Sequence, residues 1–245
     1  KILMAQSAGT VKKVSMELGG NAPFLVFDDA DLDAAVQGVI DSKYRNTGQT
    51  CICANRVYVQ DAVYDDFAKR LAYAVETLKV GPGLDESADI GPLVNDEALE
   101  KVESLVSSAC DQGAKVLTGG RRHELGRTFY EVTVLTDVTQ AMDIAQEEIF
   151  GPVAPLYRFS TEEEAIEMAN DTPYGLASYF FASDMARVWR VSEGLEYGLV
   201  GVNTGLMSTE VAPFGGFKES GVGREGSYQG LDEYLETKYI AMGGI

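Results

Sequence analysis

Short runs of apolar residues alternate with amphipathic stretches along most of this chain. Runs rich in β-branched and aromatic residues predict strands, whereas apolar residues spaced three and four apart predict helices. The predicted strands are 14–18, 23–27, 56–60, 115–118, 130–135, 153–159, 179–181 and 199–202. The predicted helices are 32–45, 63–78, 95–112, 161–170 and 185–193. This alternation indicates an α/β fold, an open and mostly parallel sheet with helices on both faces.

The two ends of the chain differ from this pattern. A glycine-rich loop at 213–225 leads to a short helix expected near Asp232 and then to an apolar tail at 239–242. An extended apolar tail without a partner strand nearby in sequence is expected to pair with another subunit. Lys1 already lies inside an amphipathic stretch without a capping signal, so we interpret the chain as part of a longer protein.

Composition narrows the possible partners. The chain has 245 residues, a net charge of −18 and three cysteines. The acidic excess disfavours nucleic acids and anionic membrane surfaces. We also expect no membrane span and no signal peptide, since no apolar stretch is long enough. So few cysteines do not form a disulfide scaffold, which indicates a reducing compartment such as the cytoplasm.

The segment Gly48-Gln49-Thr50-Cys51-Ile52-Cys53 is the strongest candidate for chemistry. It places Cys51 on a glycine-containing turn between a predicted helix and a predicted strand. Such a turn can direct the thiol outward and expose backbone N–H groups beside it. A nucleophilic cysteine needs both thiolate character and donors for the oxyanion that it creates.

The base that would serve Cys51 is expected to be a carboxylate. His123 is the single histidine and stands in a polar turn, so a Cys–His pair is not expected. Cys51 and Cys53 are too close for a usual zinc ligand pair, and we predict no metal site. Glu17 ends a predicted strand before two glycines. Burial beside apolar neighbours would raise its pKa toward the range of a general base.

Two further segments, 147–152 and 213–225, combine glycine with charged and aromatic residues. The second contains a formal G-x-G-x-x-G match at Gly221, Gly223 and Gly226. We do not interpret it as a dinucleotide fingerprint, because no predicted strand precedes it and no second strand with a ribose-binding acid can follow.

Taken together, these segments resemble the aldehyde dehydrogenase superfamily along the whole chain. Four segments carry the resemblance in the family's order: 17–20 (ELGG), 48–51 (GQTC), 148–152 (EIFGP) and 213–221 (PFGGFKESG). The resemblance implies the family's catalytic-domain fold, with Cys51 as the nucleophile and Glu17 as the general base. It also implies a thiohemiacetal and then a thioester on Cys51, with NAD or NADP as the hydride acceptor.

The resemblance assigns further residues to cofactor and substrate. Glu148 would hold the ribose next to the nicotinamide and Phe150 would pack nearby, with Leu18 and Gly19 also on the cofactor side. Phe214 would form part of the wall of the substrate tunnel.

Residues 44–56, 203–206 and 223–227 resemble the succinate-semialdehyde dehydrogenases in particular. In that group Arg45 would pair with the far carboxylate of the substrate, and Ser208 would assist it. Cys53 would be able to close a regulatory disulfide on Cys51. Glutarate semialdehyde remains an alternative substrate, because one methylene changes binding by only about 1–3 kcal/mol.

The resemblance covers only the C-terminal half of the family's chain. It implies a remnant of the cofactor-binding domain at 1–18, a catalytic domain at 19–225 and an oligomerisation tail at 226–245. A homodimer or homotetramer is expected, in the cytoplasm or, in a eukaryote, in the mitochondrial matrix. Taken alone, the chain could instead act as a thiol esterase or as a structural oligomerisation module.

Overall fold

A computed structural model describes residues 1–244 and contains nine strands and eight α-helices in that range. The strands are β1 (Met16–Glu17), β2 (Ala22–Val26), β3 (Ala54–Gln60), β4 (Lys115–Thr118), β5 (Thr133–Thr136), β6 (Val153–Phe159), β7 (Ala177–Phe181), β8 (Leu199–Val202) and β9 (Gly221–Val222). The helices are α1 (Ile2–Ala8), α2 (Leu32–Val39), α3 (Tyr64–Val75), α4 (Asp96–Asp111), α5 (Asp143–Gln146), α6 (Glu162–Asn170), α7 (Met185–Gly194) and α8 (Gln229–Asp232).

Seven strands form one sheet in the order β4-β5-β6-β3-β2-β7-β8. Every neighbouring pair is parallel except β4 and β5, which are antiparallel. The remaining strands, β1 and β9, form a separate antiparallel pair. The predicted α/β fold with a mostly parallel sheet is therefore confirmed.

Both faces of the large sheet are covered by helices, which explains why its inner strands are apolar throughout. In β2, Phe24 and Val26 pack on the face covered by α2 and α3. Leu25 packs on the other face, where α4, α6 and α7 lie. All five residues of β2 are buried. The core therefore consists of two apolar layers separated by the sheet.

Side-chain caps fix where several helices begin. Asp31 accepts hydrogen bonds from the backbone N–H groups of Asp33 and Ala34 at the start of α2. Asn95 caps α4 and Thr161 caps α6 in the same way. Such caps satisfy backbone donors that have no partner inside the helix.

The predicted helix 32–45 is wrong in its second half. α2 ends at Val39, a π-helical turn follows at Ile40–Tyr44, and a 3₁₀ turn occupies Arg45–Gly48. The hydroxyl of Ser42 donates to the carbonyl of Gly38, so it competes with the backbone for that acceptor. Arg45 consequently lies on an irregular connection (φ −50°, ψ 134°) and not on the last turn of a helix.

Other elements also differ in extent from the predictions. The strand expected at 14–18 is limited to Met16–Glu17, and the run at 130–135 becomes a strand only from Thr133. The short helix α5 was not predicted. The tail at 239–242 has no strand in the single chain, and Tyr239 is 88% exposed. Its pairing with another subunit stays a prediction. Ile245, the last residue of the oligomerisation tail predicted at 226–245, lies outside the described range.

None of the helices in residues 1–244 combines the length and the apolar character that crossing a bilayer requires.

Candidate active site

Three of the predicted site residues lie at the amino ends of β2, β3 and β6. Cys51 precedes β3, Gly19 and Gly20 precede β2, and Glu148 precedes β6. Open α/β sheets usually bind ligands at the carboxyl ends of their strands. Glu17 does end a strand, as expected, but β1 belongs to the small antiparallel pair and not to the large sheet. The position of Glu17 relative to Cys51 therefore depends on how the β1–β9 pair is placed against the amino ends of the strands in the large sheet.

Cys51 lies on a tight turn, as the sequence predicts. The N–H of Cys53 donates to the carbonyl of Thr50 at 3.1 Å, which closes the turn around Cys51 and Ile52. Cys51 is half-buried, and burial raises the pKa of its thiol. The nearby charge of Glu148 raises this pKa further, whereas the backbone N–H of Cys51 lowers it. A positive charge bound beside Cys51 would therefore favour the thiolate.

Glu17 is a carboxylate without a hydrogen-bond partner in the part of the chain that the structure describes. Both of its side-chain oxygens are shielded from solvent and accept no hydrogen bond within residues 1–244. Burial, followed by the charge of Glu225, raises its pKa to about 7, and Arg224 opposes this shift. A carboxylate with this pKa is able to take up a proton from water at neutral pH.

The glycine-rich loop brings Phe214 and Glu225 to the neighbourhood of Glu17. The N–H of Phe214 donates to the carbonyl of Glu225 at 2.8 Å, and the N–H of Glu225 donates back at 2.7 Å. β1 pairs with β9 so that Glu17 stands opposite Gly221. A Cβ at Gly221 would lie 2.1 Å from the carbonyl oxygen of Met16, so this close pairing requires glycine.

Glu148 lies next to the backbone of Gly19 and Gly20. Its Oε1 accepts a hydrogen bond from the N–H of Gly20 at 3.1 Å. A Cβ on Gly19 would come within 2.9 Å of Oε2, so the carboxylate occupies the space that a larger residue would need. Burial raises the pKa of Glu148, and the Gly20 N–H, Lys101 and Lys43 oppose the rise.

Phe150 follows Glu148 in a strained conformation. Its φ is +56°, which is uncommon for a non-glycine residue, and its side chain is half-buried. Backbone strain of this kind tends to concentrate at functional sites.

Ser220 fixes the segment that carries Leu18 and Gly19, a role that was not expected from the sequence. Its hydroxyl donates to the carbonyl of Gly19 at 2.7 Å and accepts from the N–H of Gly175 at 2.9 Å. The N–H of Leu18 donates to the carbonyl of Ser220 at 3.0 Å, while the Leu18 side chain stays exposed. Leu18 thus presents its side chain outward at the edge of the site.

Arg45 is exposed and makes no side-chain hydrogen bond or ion pair within residues 1–244. It lines a groove of about 310 Å³ that also includes Asp41, Asp89 and Leu206. Ser208 is exposed in the loop that follows β8, and no hydrogen bond joins it to Arg45 in the described chain. Arg45 and Ser208 are therefore both exposed, and no hydrogen bond links them in the described chain.

The loop of Ser208 nevertheless packs beside Arg45. A Cβ on Gly205 would lie 2.2 Å from the carbonyl oxygen of Gly38 and 3.0 Å from the Cβ of Asp41. Gly38 and Asp41 belong to the segment that leads into Arg45.

Two buried groups near the turn of Cys51, Lys43 and Tyr179, were not expected from the sequence. Lys43 is completely buried, and its ammonium donates to Oδ1 of Asn55 at 2.8 Å. Burial lowers the pKa of Lys43 to about 8, and the charges of Cys53 and Glu148 oppose the shift. Helical spacing could not identify Lys43 as buried, because the helix gives way to a π-helical turn at that point. The hydroxyl of Tyr179 donates to the carbonyl of Ile52 at 2.8 Å.

Cys53, the predicted redox residue, is buried, and its Sγ lies 2.8 Å from Oγ1 of Thr50. All three cysteines are free. Within residues 1–244, no group of three or more His, Cys, Asp or Glu side chains is arranged to hold a metal ion.

Comparison with known proteins adds to this geometry. A model of the aldehyde dehydrogenase family matches residues 1–240. The mitochondrial succinate-semialdehyde dehydrogenase of Arabidopsis thaliana is 62% identical over 245 residues, which are 100% of this chain and 46% of that protein. A glutarate-semialdehyde dehydrogenase of Pseudomonas aeruginosa is 59% identical over 243 residues, or 99% of this chain and 50% of that protein.

A crystal structure shows the same fold. Succinate-semialdehyde dehydrogenase from Burkholderia pseudomallei superposes with a TM-score of 0.94 at 62% sequence identity, and the match covers 95% of this chain and 48% of that one. This chain spans about half the length of the curated relatives that it matches.

Proposed function

The chain belongs to the aldehyde dehydrogenase family, and from this premise we propose that the full-length protein oxidises succinate semialdehyde to succinate with NAD or NADP. The observation that carries the proposal is the placement of Cys51. Its half-buried thiol stands on a tight turn near Glu17, a carboxylate whose pKa is raised to about 7. A soft nucleophile and a base of this kind are what thioester chemistry requires.

The described residues fit a nicotinamide cofactor. Glu148 is partly buried, and its carboxylate approaches the backbone of Gly19 so closely that a Cβ there would lie 2.9 Å from Oε2. We assign Glu148 to the ribose hydroxyls, with Phe150, Leu18 and Gly19 as neighbouring contacts. The nicotinamide supplies a hydride acceptor when it is bound.

The chain's own residues perform the covalent steps. The Cys51 thiolate attacks the aldehyde carbon and forms a thiohemiacetal, and the backbone N–H of Cys51 donates to the new oxyanion. Once hydride has left, the acyl group remains as a thioester on Cys51. Glu17 takes a proton from a water molecule, which attacks the thioester and releases succinate.

The far end of the substrate is assigned to Arg45, Ser208 and Phe214. Arg45 carries a charge that no carboxylate in the described chain neutralises by direct pairing, so its guanidinium is free to bind a carboxylate bidentately. Ser208 would add a hydrogen bond from the adjacent loop, and Phe214 an apolar wall. The names of two relatives, which refer to succinate and glutarate semialdehydes, support a substrate with a terminal carboxylate.

Glutarate semialdehyde is the second candidate substrate. It differs from succinate semialdehyde only in having one more methylene between the aldehyde and the carboxylate. One methylene changes the binding free energy by only about 1–3 kcal/mol. The 59% identity with a glutarate-semialdehyde dehydrogenase favours keeping this alternative.

We propose domain limits for the chain that follow from its membership of the aldehyde dehydrogenase family. Residues 1–18 would complete the cofactor-binding domain, 19–225 form the catalytic domain and 226–245 the oligomerisation tail. The exposed apolar side chains of Tyr239, Ile240 and Met242 support a homodimer or homotetramer in which the tail is covered. A cytoplasmic or mitochondrial-matrix location is consistent with three free cysteines.

The test measures NAD(P)H formation by the full-length protein with succinate semialdehyde, glutarate semialdehyde and an uncharged aliphatic aldehyde, each with NAD and with NADP. The two acids should be preferred, and Cys51→Ser should abolish activity. Arg45→Ala should lower kcat/KM for the acids about 100-fold, as expected for the loss of about 3 kcal/mol of charge-assisted hydrogen bonding. Retained activity in Cys51→Ser would contradict the function.

Equal use of the uncharged aldehyde would reject the role of Arg45 and leave an aldehyde dehydrogenase of another specificity. Cofactor-independent hydrolysis of an activated ester by the isolated chain would support a thiol esterase. A stable oligomer with an unreactive Cys51 would support a structural module.

A further inference from the structure

Tyr179 contacts the turn that carries Cys51, and the steps proposed above give it no role. It lies on β7 and is 1% exposed. Its hydroxyl donates a hydrogen bond at 2.8 Å to the carbonyl oxygen of Ile52, the residue between Cys51 and Cys53. The two residues are 127 positions apart in the sequence, so only the fold brings them together.

The ring of Tyr179 is held independently of its hydroxyl. It stacks against Phe24 with ring centroids 5.9 Å apart, inside the apolar layer on the side of α2 and α3. β7 is itself paired with β2 on one side and with β8 on the other. A phenol in this position loses little additional conformational freedom when it donates a hydrogen bond.

Two successive carbonyl groups of the turn are therefore fixed by two different elements. A Cβ on Gly20 would lie 2.3 Å from the carbonyl oxygen of Cys51, so that carbonyl packs directly against the backbone before β2. The next carbonyl, that of Ile52, is held by Tyr179 on β7. With both peptide planes around Ile52 fixed, the backbone from which the Cys51 side chain projects is fixed as well.

The hydroxyl also stands near the predicted reacting groups. Burial raises the pKa of Tyr179, the charge of Cys53 raises it further, Arg45 lowers it and Cys51 raises it. A buried phenol can donate to any nearby carbonyl merely to satisfy its own hydrogen bond. Here the acceptor is the carbonyl of Ile52, between Cys51 and Cys53, and the hydroxyl is close enough to Arg45 to be affected by its charge.

We infer that Tyr179 is a positioning residue for the nucleophile, whose hydrogen bond to Ile52 holds the Cys51 thiol in the direction needed for attack on the aldehyde carbon. The inference rests on the proposed function, in which Cys51 is the nucleophile. A displacement of about 1 Å in a reacting group can reduce a rate by roughly 100-fold, so one hydrogen bond at this point has a measurable effect.

The test compares Tyr179→Phe with Tyr64→Phe in the full-length protein. Both substitutions remove one buried phenol hydroxyl that donates to a backbone carbonyl. The hydroxyl of Tyr64 donates to Leu156 and accepts from the N–H of Asp137, and it makes no hydrogen bond to the turn of Cys51 in the described chain. Three quantities are measured over a range of pH: kcat and KM with succinate semialdehyde, and the rate of Cys51 alkylation by iodoacetamide, located by peptide mass spectrometry. Both variants are measured at a temperature at which circular dichroism shows them folded.

Tyr179→Phe should lower kcat and the limiting alkylation rate by about tenfold or more, with KM within about twofold of its original value. Tyr64→Phe should leave all three within about twofold of the unsubstituted protein. Unchanged kcat and alkylation in Tyr179→Phe would overturn the inference. So would equal losses in both variants, because the phenol would then be merely structural.

A parallel Cys51→Ser variant separates the two proposals. If Cys51→Ser still oxidises the aldehyde, the proposed function itself fails. If Cys51→Ser is inactive while Tyr179→Phe behaves like the unsubstituted protein, only the positioning role fails.

Discussion

The hydroxyl of Ser220 donates a hydrogen bond to the carbonyl oxygen of Gly19 at 2.7 Å and so joins the glycine-rich loop to the segment that carries Glu17. The same hydroxyl accepts from the N–H of Gly175. One completely buried side chain therefore connects three segments of the chain at the amino edge of the sheet.

Ser220→Ala should lower the free energy of unfolding by about 1–3 kcal/mol, because it leaves a partly buried carbonyl and a buried N–H without their partner. Chemical denaturation measures the change. Ser183→Ala, at an exposed position whose hydroxyl makes no hydrogen bond within residues 1–244, should change stability by less than about 0.5 kcal/mol. A loss of the same size in both variants would contradict the connecting role of Ser220.

The activity should fall as the pH falls through about 7, because Glu17 becomes protonated and can no longer accept a proton from water. Glu17→Gln should lower kcat by about 100-fold or more and remove this midpoint from the profile. Glu225→Gln removes a neighbouring negative charge that helps to raise the pKa of Glu17, so it should move the midpoint to lower pH. If the midpoint of the pH–activity profile were unchanged in both Glu17→Gln and Glu225→Gln, Glu17 would be rejected as the base.

Lys43 should make stability depend on pH in the alkaline range. Its pKa is lowered from 10.5 to about 8 in the folded chain, so the folded state binds fewer protons than the unfolded state between these values. The cost of burying the charge is present in full below pH 8 and is relieved as the pH rises toward 10.5. Stability due to Lys43 therefore increases with pH in this window.

Lys43→Met should lack this rise of stability with pH. The difference between the slopes of unfolding free energy against pH in the variant and in the unsubstituted protein separates the contribution of Lys43 from those of other groups that titrate in the same pH range. Urea unfolding at several pH values measures it. Lys69→Met removes an exposed lysine and should retain the slope of the unsubstituted protein. An unchanged slope in Lys43→Met would mean that the ammonium is not buried in solution.

Peroxide should inactivate the enzyme in a way that dithiothreitol reverses. The Cys51 thiolate would attack the peroxide O–O bond to give a sulfenic acid, and the Cys53 thiol would displace water from it to form a disulfide. Cys53→Ala should lose the reversible phase, whereas Cys110→Ala, which removes a thiol on α4, should keep it. If recovery by dithiothreitol persists without Cys53, this cysteine is not the partner.

Residues whose importance depends on local sequence could be found from the sequence. The turn at Cys51, the strand end at Glu17 and the caps at Asp31 and Thr161 all follow from neighbours within a few positions. The alternation of apolar runs likewise predicted the parallel sheet.

The supports of the site could not be found in this way, because they depend on contacts between distant segments. Ser220 meets Gly19 across 201 positions, and Tyr179 meets Ile52 across 127. Arg45 was expected on a helix because the helical spacing of apolar residues continues through the π-helical turn at 40–44. That turn changes the direction of the Arg45 side chain but leaves the apolar spacing in the sequence unchanged. The positive φ of Phe150 also leaves no local signal.

The pairing of β1 with β9 has a consequence for biosynthesis. A ribosome delivers Glu17 long before Gly221, its strand partner. Closing so long a loop is entropically slow, and it cannot begin before the later strand has emerged. The nascent chain would therefore expose the Cys51 thiol before Glu17 acquires its raised pKa. Under the proposed function, catalytic competence would arise last, after the large sheet has had time to fold.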